Sequence, residues 1–535
     1  MAKDKFLRGA LILTLAGLMV KIIGSVNRIL LSRLLGGEGI GLYQMAYPVY
    51  LLMISVSSAG IPIAISIIVA EKVAQGDYGS AKRIFRITLA LMACTGLVFA
   101  LILYGVAGWL VDNQIIRDGR AYYALVALTP AVFFATILAS FRGYFQGYQL
   151  MTPTGVSQIL EQLVRVVTMV VMAYYLLPYG LEYAAAGAAF GAVPGSVTGL
   201  VVLSWFYLHY HKQWAAKIST QKVMATESVT KIAARLIKLA LPVSCANIMV
   251  PVVTGIDMLI VPHRLELAGF SVVEATTLFG YLAGMALPLV MMATIPTISL
   301  AASIVPAITE AFALNNLAAI RQRSATALRL CFLLTFPATV GMWILSKPIS
   351  QLLYGTTAAS SAIAHLAPSI ALLGLHQVTT GILQGLGMTV TPMLNMLFSA
   401  AVKVFLVWEL TALPEYGIVG AAWATNLNFG LAALLNIFFL CRYTDFVLPW
   451  RATVNILTAS LVMGLCGALT YEKTLAWGSA NTVSTLLAML VCAVIYGGSL
   501  LVSGEFTAQE IRKVPYVGVR LVVILQKIKV VRDEK

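Results

Sequence analysis

The sequence predicts an all-α polytopic membrane protein with about fourteen transmembrane helices, in two six-helix lobes related by a pseudo-two-fold along the membrane normal, plus two C-terminal helices. Three observations carry this. Of 535 residues 60% are apolar and 11% charged, with mean hydropathy +0.90, whereas a soluble domain holds roughly 25% charged residues; too little polar surface exists to cover a water-soluble body this size. Apolar windows recur at lengths near the roughly 20 residues that one crossing needs. A set of residues in the first half also returns in the second at a nearly constant offset. The net charge of +15 is what a positive-inside polytopic chain produces, so nucleic acid is not implied as a partner. Cys94, Cys245, Cys331, Cys441, Cys466 and Cys492 lie in or beside apolar runs without metal-ligand spacing and read as packing residues.

The first span, near 9–32, follows Lys3, Lys5 and Arg8; Lys21 and Arg28 interrupt it and no small-residue cleavage site is evident, so it reads as a mature helix. The second, near 42–70, is followed by four bases. Spans near 87–111 and 122–145 enclose Arg117 and Arg120, and Arg142 lies near the end of the latter. Spans near 155–177 and 185–208 complete a first set of six, followed by six bases. A second set lies near 239–262, 276–305, 327–346, 362–385, 393–412 and 418–440, with three bases after its second member and two after its last. Spans near 453–471 and 482–503 precede a tail with seven bases. In total 26 Lys and Arg fall on one side and six on the other, which places both termini in the cytoplasm. The domain expectation is residues 1–222 and 223–450 for the lobes, 451–504 for helices 13 and 14, and 505–535 for a basic tail attracted to the membrane lipids of the inner leaflet.

The internal repeat pairs Gly143, Gln146, Gly147 and Arg165 with Gly381, Gln384, Gly385 and Lys403 at an offset of 238. Thr152-Pro153 returns as Thr391-Pro392, Gly187-Ala188-Ala189 as Gly420-Ala421-Ala422, and Ile61-Pro62 with Glu71 as Ile295-Pro296 with Glu310. An even helix count per half keeps the halves parallel, and two matched lobes suit alternating access by rocking. Pro48, Pro62, Pro242, Pro251, Pro288 and Pro296 lie inside spans, where each removes a backbone donor and tends to kink its helix.

Six ionisable residues lie within spans: Lys21, Arg28, Glu161, Arg165, Asp257 and Lys403. At roughly 2.5–3.5 kcal/mol each at the bilayer centre, they are expected to face a shared wet cavity rather than lipid. Lys21 and Arg28 are two turns apart and share a face. Gln158, Glu161, Gln162 and Arg165 form a polar stripe in which Glu161 and Arg165 stand at i, i+4. Asn395, Ser399 and Lys403 step by four, and Asn247, Thr254 and Asp257 share a side. Four cations against two anions favour an anionic guest such as a pyrophosphate headgroup, with Lys21, Arg28, Glu161, Arg165 and Lys403 as the substrate-binding candidates. Each has a structural alternative: an intramembrane pair for Glu161 and Arg165, snorkelling for Lys403, an interfacial anchor for Arg28. Asp257, with Asn247 and Asn395, reads either as an ion-coupling site or as a helix-packing hydrogen bond. The histidines show no ligand spacing, so no metal or cofactor is expected; with no GxxxxGK[ST] loop, the expected driver is Na+, H+ or the membrane potential.

Several segments together resemble one family: Leu35-Gly36-Gly37-Glu38-Gly39-Ile40-Gly41-Leu42-Tyr43-Gln44, Gly60-Ile61-Pro62-Ile63-Ala64-Ile65-Ser66, residues 158–166, Ile256-Asp257, Gly284-Met285-Ala286-Leu287-Pro288 and Ser303-Ile304-Val305-Pro306. The chain is similar to the stage V sporulation protein B group, in the polysaccharide-transporter branch of the multidrug, oligosaccharidyl-lipid and polysaccharide exporter superfamily, and more distantly resembles MurJ-type lipid II flippases. The resemblance implies a multi-pass protein of the bacterial cytoplasmic membrane that flips an undecaprenyl-pyrophosphate-linked saccharide outward, lipid II for spore cortex or wall peptidoglycan, with cell-wall synthesis proteins as further partners. Positive residues on helices 1, 2 and 8 and an acid on helix 7 mark the MurJ-type pattern. Lys21, Arg28 and Asp257 suit helices 1 and 7, but helices 2 and 8 carry no Lys or Arg here. Other lipid-linked polysaccharide precursors, or drug and cation antiport, are the alternatives, the latter opposed by the positive cavity. An enzyme is not expected, because the acids on the outer side are scattered over short loops.

Overall fold

In a computed structural model of the chain, which describes residues 2–58, 60–220 and 228–505, the described residues form helices and turns with no strand. The basic tail lies outside what is described, as do the side chains of Cys245 and Asn247. Thirteen helical segments among the described residues are long and apolar enough to cross a membrane. Against the fourteen expected spans, the first two are joined, the eighth is divided, and the seventh, near 239–262, is not among the thirteen. Helix α1 (Ala2–Ser58) carries the first expected span and, past Gly36, whose backbone is non-helical at φ 65°, ψ −171°, the start of the second, which ends in Ile61–Ala74. At about 1.5 Å per residue its 57 residues would greatly exceed the roughly 30 Å hydrocarbon core, so the glycine is where one crossing ends and the next begins. The eighth expected span is divided, its two parts meeting at Ile295-Pro296.

Packing divides the chain into two units, 1–284 and 285–535. The first holds α1, α2 (Ile61–Ala74), α3 (Tyr78–Asp112), α4 (Ala121–Gly147), α5 (Met151–Leu176), α6 (Leu181–Phe190), α7 (Ala192–Thr220), α8 (Val229–Leu267) and α9 (Val272–Phe279). The packing boundary falls later than the 222/223 lobe boundary expected from the repeat, because α8 packs on α1 and α2 while α9 packs on α1. Gly60 shows why this region folds as it does. Its left-handed φ of 57° ends α1 and starts α2 ahead of Pro62, and a side chain there would strike the Ala240 carbonyl of α8. Interfacial helix starts are capped by side chains: Asp77 accepts from the Ser80 amide at 3.0 Å, and Ser271 with Glu274 forms a capping box at the start of α9.

A π-helical stretch, Gly280–Ala286, leads into the second unit of α10 (Leu287–Ala293), α11 (Ile295–Ala313), α12 (Leu317–Ile344), α13 (Ser346–Tyr354), α14 (Ser360–Leu366), α15 (Pro368–Gly385), α16 (Val390–Leu410), α17 (Ile418–Thr444), α18 (Trp450–Ala476) and α19 (Asn481–Val502). Both units repeat the same internal packing. A Cβ at Gly147 of α4 would lie 2.7 Å from Val69 Cβ and 3.0 Å from the Ser66 carbonyl of α2; one at Gly385 of α15 would lie 2.7 Å from Ile308 Cβ and 2.9 Å from the Val305 carbonyl of α11. Gly143 meets Ile65 and Pro62 as Gly381 meets Ile304 and Ala301, and Gly187 meets the Met172 carbonyl as Gly420 meets that of Leu410. The repeated glycines are thus close-approach points between backbones, which drives helix association in lipid where no hydrophobic effect acts between helices.

Candidate functional site: an arginine and tyrosine cluster in the first unit

The polar face of α5 is enclosed on two sides. Glycines of α7 admit it: a Cβ at Gly195 would lie 2.9 Å from Arg165 Cβ, and one at Gly199 would lie 3.3 Å from the Glu161 carboxylate. From α4, Arg142 donates to Glu161 at 2.5 Å, whereas Arg165 stands 3.8 Å from that carboxylate. The i, i+4 pairing expected from sequence is therefore the weaker of two, and Glu161 acts mainly as the counter-ion that joins α4 to α5. Arg142, a residue the sequence reading left among the inner-loop bases, belongs to the buried cluster. Only its neighbours in space reveal that, since no spacing along α4 marks it.

On the other side lies α1. Lys21, Gly24 and Arg28 share one stripe of that helix, and a Cβ at Gly24 would stand 3.3 Å from the Gln162 amide of α5, so this stripe faces the polar stripe of α5. Lys21 is exposed and Arg28 half-buried. After the Gly36 break, the same helix presents Tyr43, Tyr47 and Tyr50 at i, i+4, i+7, with ring centroids 5.4 and 5.8 Å apart. Arg165 reaches the Tyr50 hydroxyl at 3.5 Å, and Tyr43 lies within electrostatic reach of both Arg28 and Arg165. Three guanidinium groups against one carboxylate leave this cluster positive, and the Nε donors of Arg142 and Arg165 are buried without a protein partner. Donors that fork toward oxygen beside flat aromatic faces can hold a phosphate next to a ring-shaped group. The tyrosine ladder was missed at the sequence level, though its spacing was visible there.

The other candidates lie elsewhere. Asp257 is half-buried on α8 and has interaction partners of its own. In the second unit Asn395 donates to Asn436 at 2.8 Å, and Lys403 is 5% exposed, which rules out snorkelling. Among the described residues no group of three or more His, Cys, Asp or Glu could hold a metal ion.

One end of the first unit is closed by a glycine seam. Side chains at Gly41 and Gly280 would overlap the backbone carbonyls of Thr276 and Gly37, one at Gly284 would strike Ile40, and Gln44 donates to the Ala283 carbonyl at 2.7 Å. A clasp surrounds it: Arg120 binds Asp118 at 2.7 Å and Glu38 at 2.6 Å, Arg117 binds Glu266 at 2.5 Å, and Thr276 donates to Asp118 at 3.0 Å. Hydrogen bonding to Asp118 raises the Arg120 pKa above its already high ordinary value, so titration of that arginine does not open the clasp.

This arrangement of helices is that of a multi-pass membrane protein. The solved lipid II flippase MurJ in an inward closed conformation superposes with a TM-score of 0.65 at 16% identity, covering 91% of this chain and 98% of that one. The chain belongs to the family of polysaccharide biosynthesis proteins, whose model matches residues 6–312. It is 32% identical over 526 residues to stage V sporulation protein B of Bacillus subtilis (strain 168), covering 98% of this chain and 100% of the relative. It is also 27% identical over 479 residues to lipid II flippase MurJ of the same organism, covering 86% and 88%.

Proposed function

We propose that the chain is a flippase that carries an undecaprenyl-pyrophosphate-linked saccharide, lipid II, across the bacterial cytoplasmic membrane by alternating access, with both termini inside. The observation that carries this reading is the convergence of Arg28 and Arg165 on the Tyr43–Tyr47–Tyr50 ladder, which suits a phosphate joined to a sugar. Names of relatives support the cargo: one is a lipid II flippase, and the one matched over its full length serves sporulation, which favours peptidoglycan of the spore or wall as the destination. A cationic drug would meet like charge at this cluster.

In this mechanism Arg28 and Arg165 grip the headgroup, Lys21 recruits it from the exposed stripe, and the Arg142–Glu161 pair keeps Arg165 in place. Within the second unit, Lys403 is the substrate-binding candidate. The glycine seam and its clasp form the outer closure, which must part for release. Cell-wall synthesis proteins supply or consume the cargo.

In proteoliposomes with lipid II, Arg28→Ala and Arg165→Gln are expected to lower headgroup binding and flipping at least about ten-fold, and Lys21→Ala less, with folded yield near that of the parent chain. Undiminished lipid II binding in both arginine variants would refute the assignment. Asp257 is the proposed coupling residue, for Na+ or as a relay for H+, acting alongside the membrane potential. Asp257→Asn should abolish the dependence of flipping on the ion gradient while headgroup binding persists; an unaltered response to both gradients would rule this out.

A further inference from the structure

The second unit holds an uncharged pocket at the repeat position of Arg142. Between α11 and α15 lies an open pocket of about 220 Å³, walled by Ile298 and Val305 on one side and by His376, Gln377, Thr380 and Gln384 on the other. Behind it a hydrogen-bond network sets the direction of each polar group. Asn395 donates to the Asn436 carbonyl at 2.8 Å, which orients the Asn436 amide toward Thr380 Oγ1 at 3.1 Å and Thr379 Oγ1 at 3.2 Å, with His376 Nδ1 3.4 Å away. Asn436 is fully buried, so this orientation is fixed from behind. With its oxygen accepting, Thr380 is left to donate its hydroxyl proton. Gln377 accepts from Thr297 at 2.6 Å through its carbonyl, leaving its NH₂ as donor. Gln384 adds an exposed amide one turn further on.

Gln377, Thr380 and Gln384 thus offer three donors to one opening without any formal charge. Turned toward hydrocarbon, each would forgo its hydrogen bonds at a cost of several kcal/mol, so the pocket opens on water. Its volume is below the roughly 300 Å³ of drug-sized sites, which suits one ring rather than an extended chain. At the offset of 238 the first unit has Leu138, Ala139 and Arg142 in place of His376, Gln377 and Thr380. The two units repeat a backbone but differ in chemistry at the same place: charged in one, neutral and donor-rich in the other.

We propose that the α15 pocket formed by His376, Gln377, Thr380 and Gln384 is a binding site for one neutral, oxygen-rich sugar ring of the carried saccharide. The occupant's name rests on the saccharide-carrier reading above; the pocket's preference for uncharged acceptors does not. The full chain in detergent should show saturation transfer in NMR to a soluble N-acetylglucosamine disaccharide. Thr380→Val and Gln384→Leu should weaken that sugar at least about ten-fold while leaving thermal stabilisation by inorganic pyrophosphate intact, which also shows that both variants are folded. Arg165→Gln should do the reverse. Absence of transfer to the sugar in the parent chain, or equal transfer in both pocket variants, overturns the proposal. Sugar binding without any pyrophosphate response would instead overturn the carrier reading and leave the pocket standing.

Discussion

Arg142→Met is expected to lower stability by about 3–5 kcal/mol, because it strands the Glu161 carboxylate among α4, α5 and α7 with Arg165 3.8 Å away as its remaining partner. Glu161→Gln should be milder: an amide keeps a polar contact with Arg142, and the guanidinium retains Ser157 nearby at 3.5 Å. The double variant should be much less damaged than the sum of the singles, since it removes charge and counter-ion together. Thermal unfolding of the four proteins in one detergent provides the cycle. Additive losses would mean that the pair does not hold α4 to α5.

The second large effect concerns the glycine seam. Gly41→Val and Gly280→Val each place a branched side chain against a backbone carbonyl, which cannot rotate away. Overpacking of this kind costs about 1–3 kcal/mol, enough to shift a two-state population by roughly five-fold to more than a hundred-fold. Both variants should therefore expose the seam: a Tyr281→Cys reporter, silent in the parent chain, should react with an impermeant maleimide, and flipping should fall because the closed state is no longer reached. Gly17→Val is the matched control, because nothing lies within 4 Å of a Cβ there. A seam variant that labels and transports like the control would show that this closure plays no part in the cycle.

Much of the fold was legible because a bilayer imposes one rule on every residue. Apolar length marks crossings, and the recurrence of Gly143, Gly147 and Gly187 as Gly381, Gly385 and Gly420 marked points where backbones touch. Two breaks were not legible in the same way. A glycine in a loop-like segment does not say whether helix resumes at once, as it does past Gly36, and Ile295-Pro296 divides a window that is uniformly apolar.

The site divides along the same line. Spacing along one helix identified Lys21 with Arg28, and Glu161 with Arg165, since residues on one face are determined by the helical period. Arg142 escaped because its meaning lies in a partner 19 residues away on another helix. The hydrogen-bond directions around Asn436 escaped for the same reason: they depend on α15, α16 and α17 meeting at one buried amide.

Sequence by itself determined that this chain crosses the membrane many times, that its halves repeat, and that it carries more cations within its spans than anions, because hydropathy, offset and charge are sums over the chain in order. Only the tertiary structure decided which carboxylate neutralises which guanidinium, that tyrosines flank Arg165, and that the buried Asn436 amide backs the α15 pocket. Those outcomes depend on distances between helices, and the energy of a buried polar group is set by its nearest partners in space rather than its neighbours in sequence.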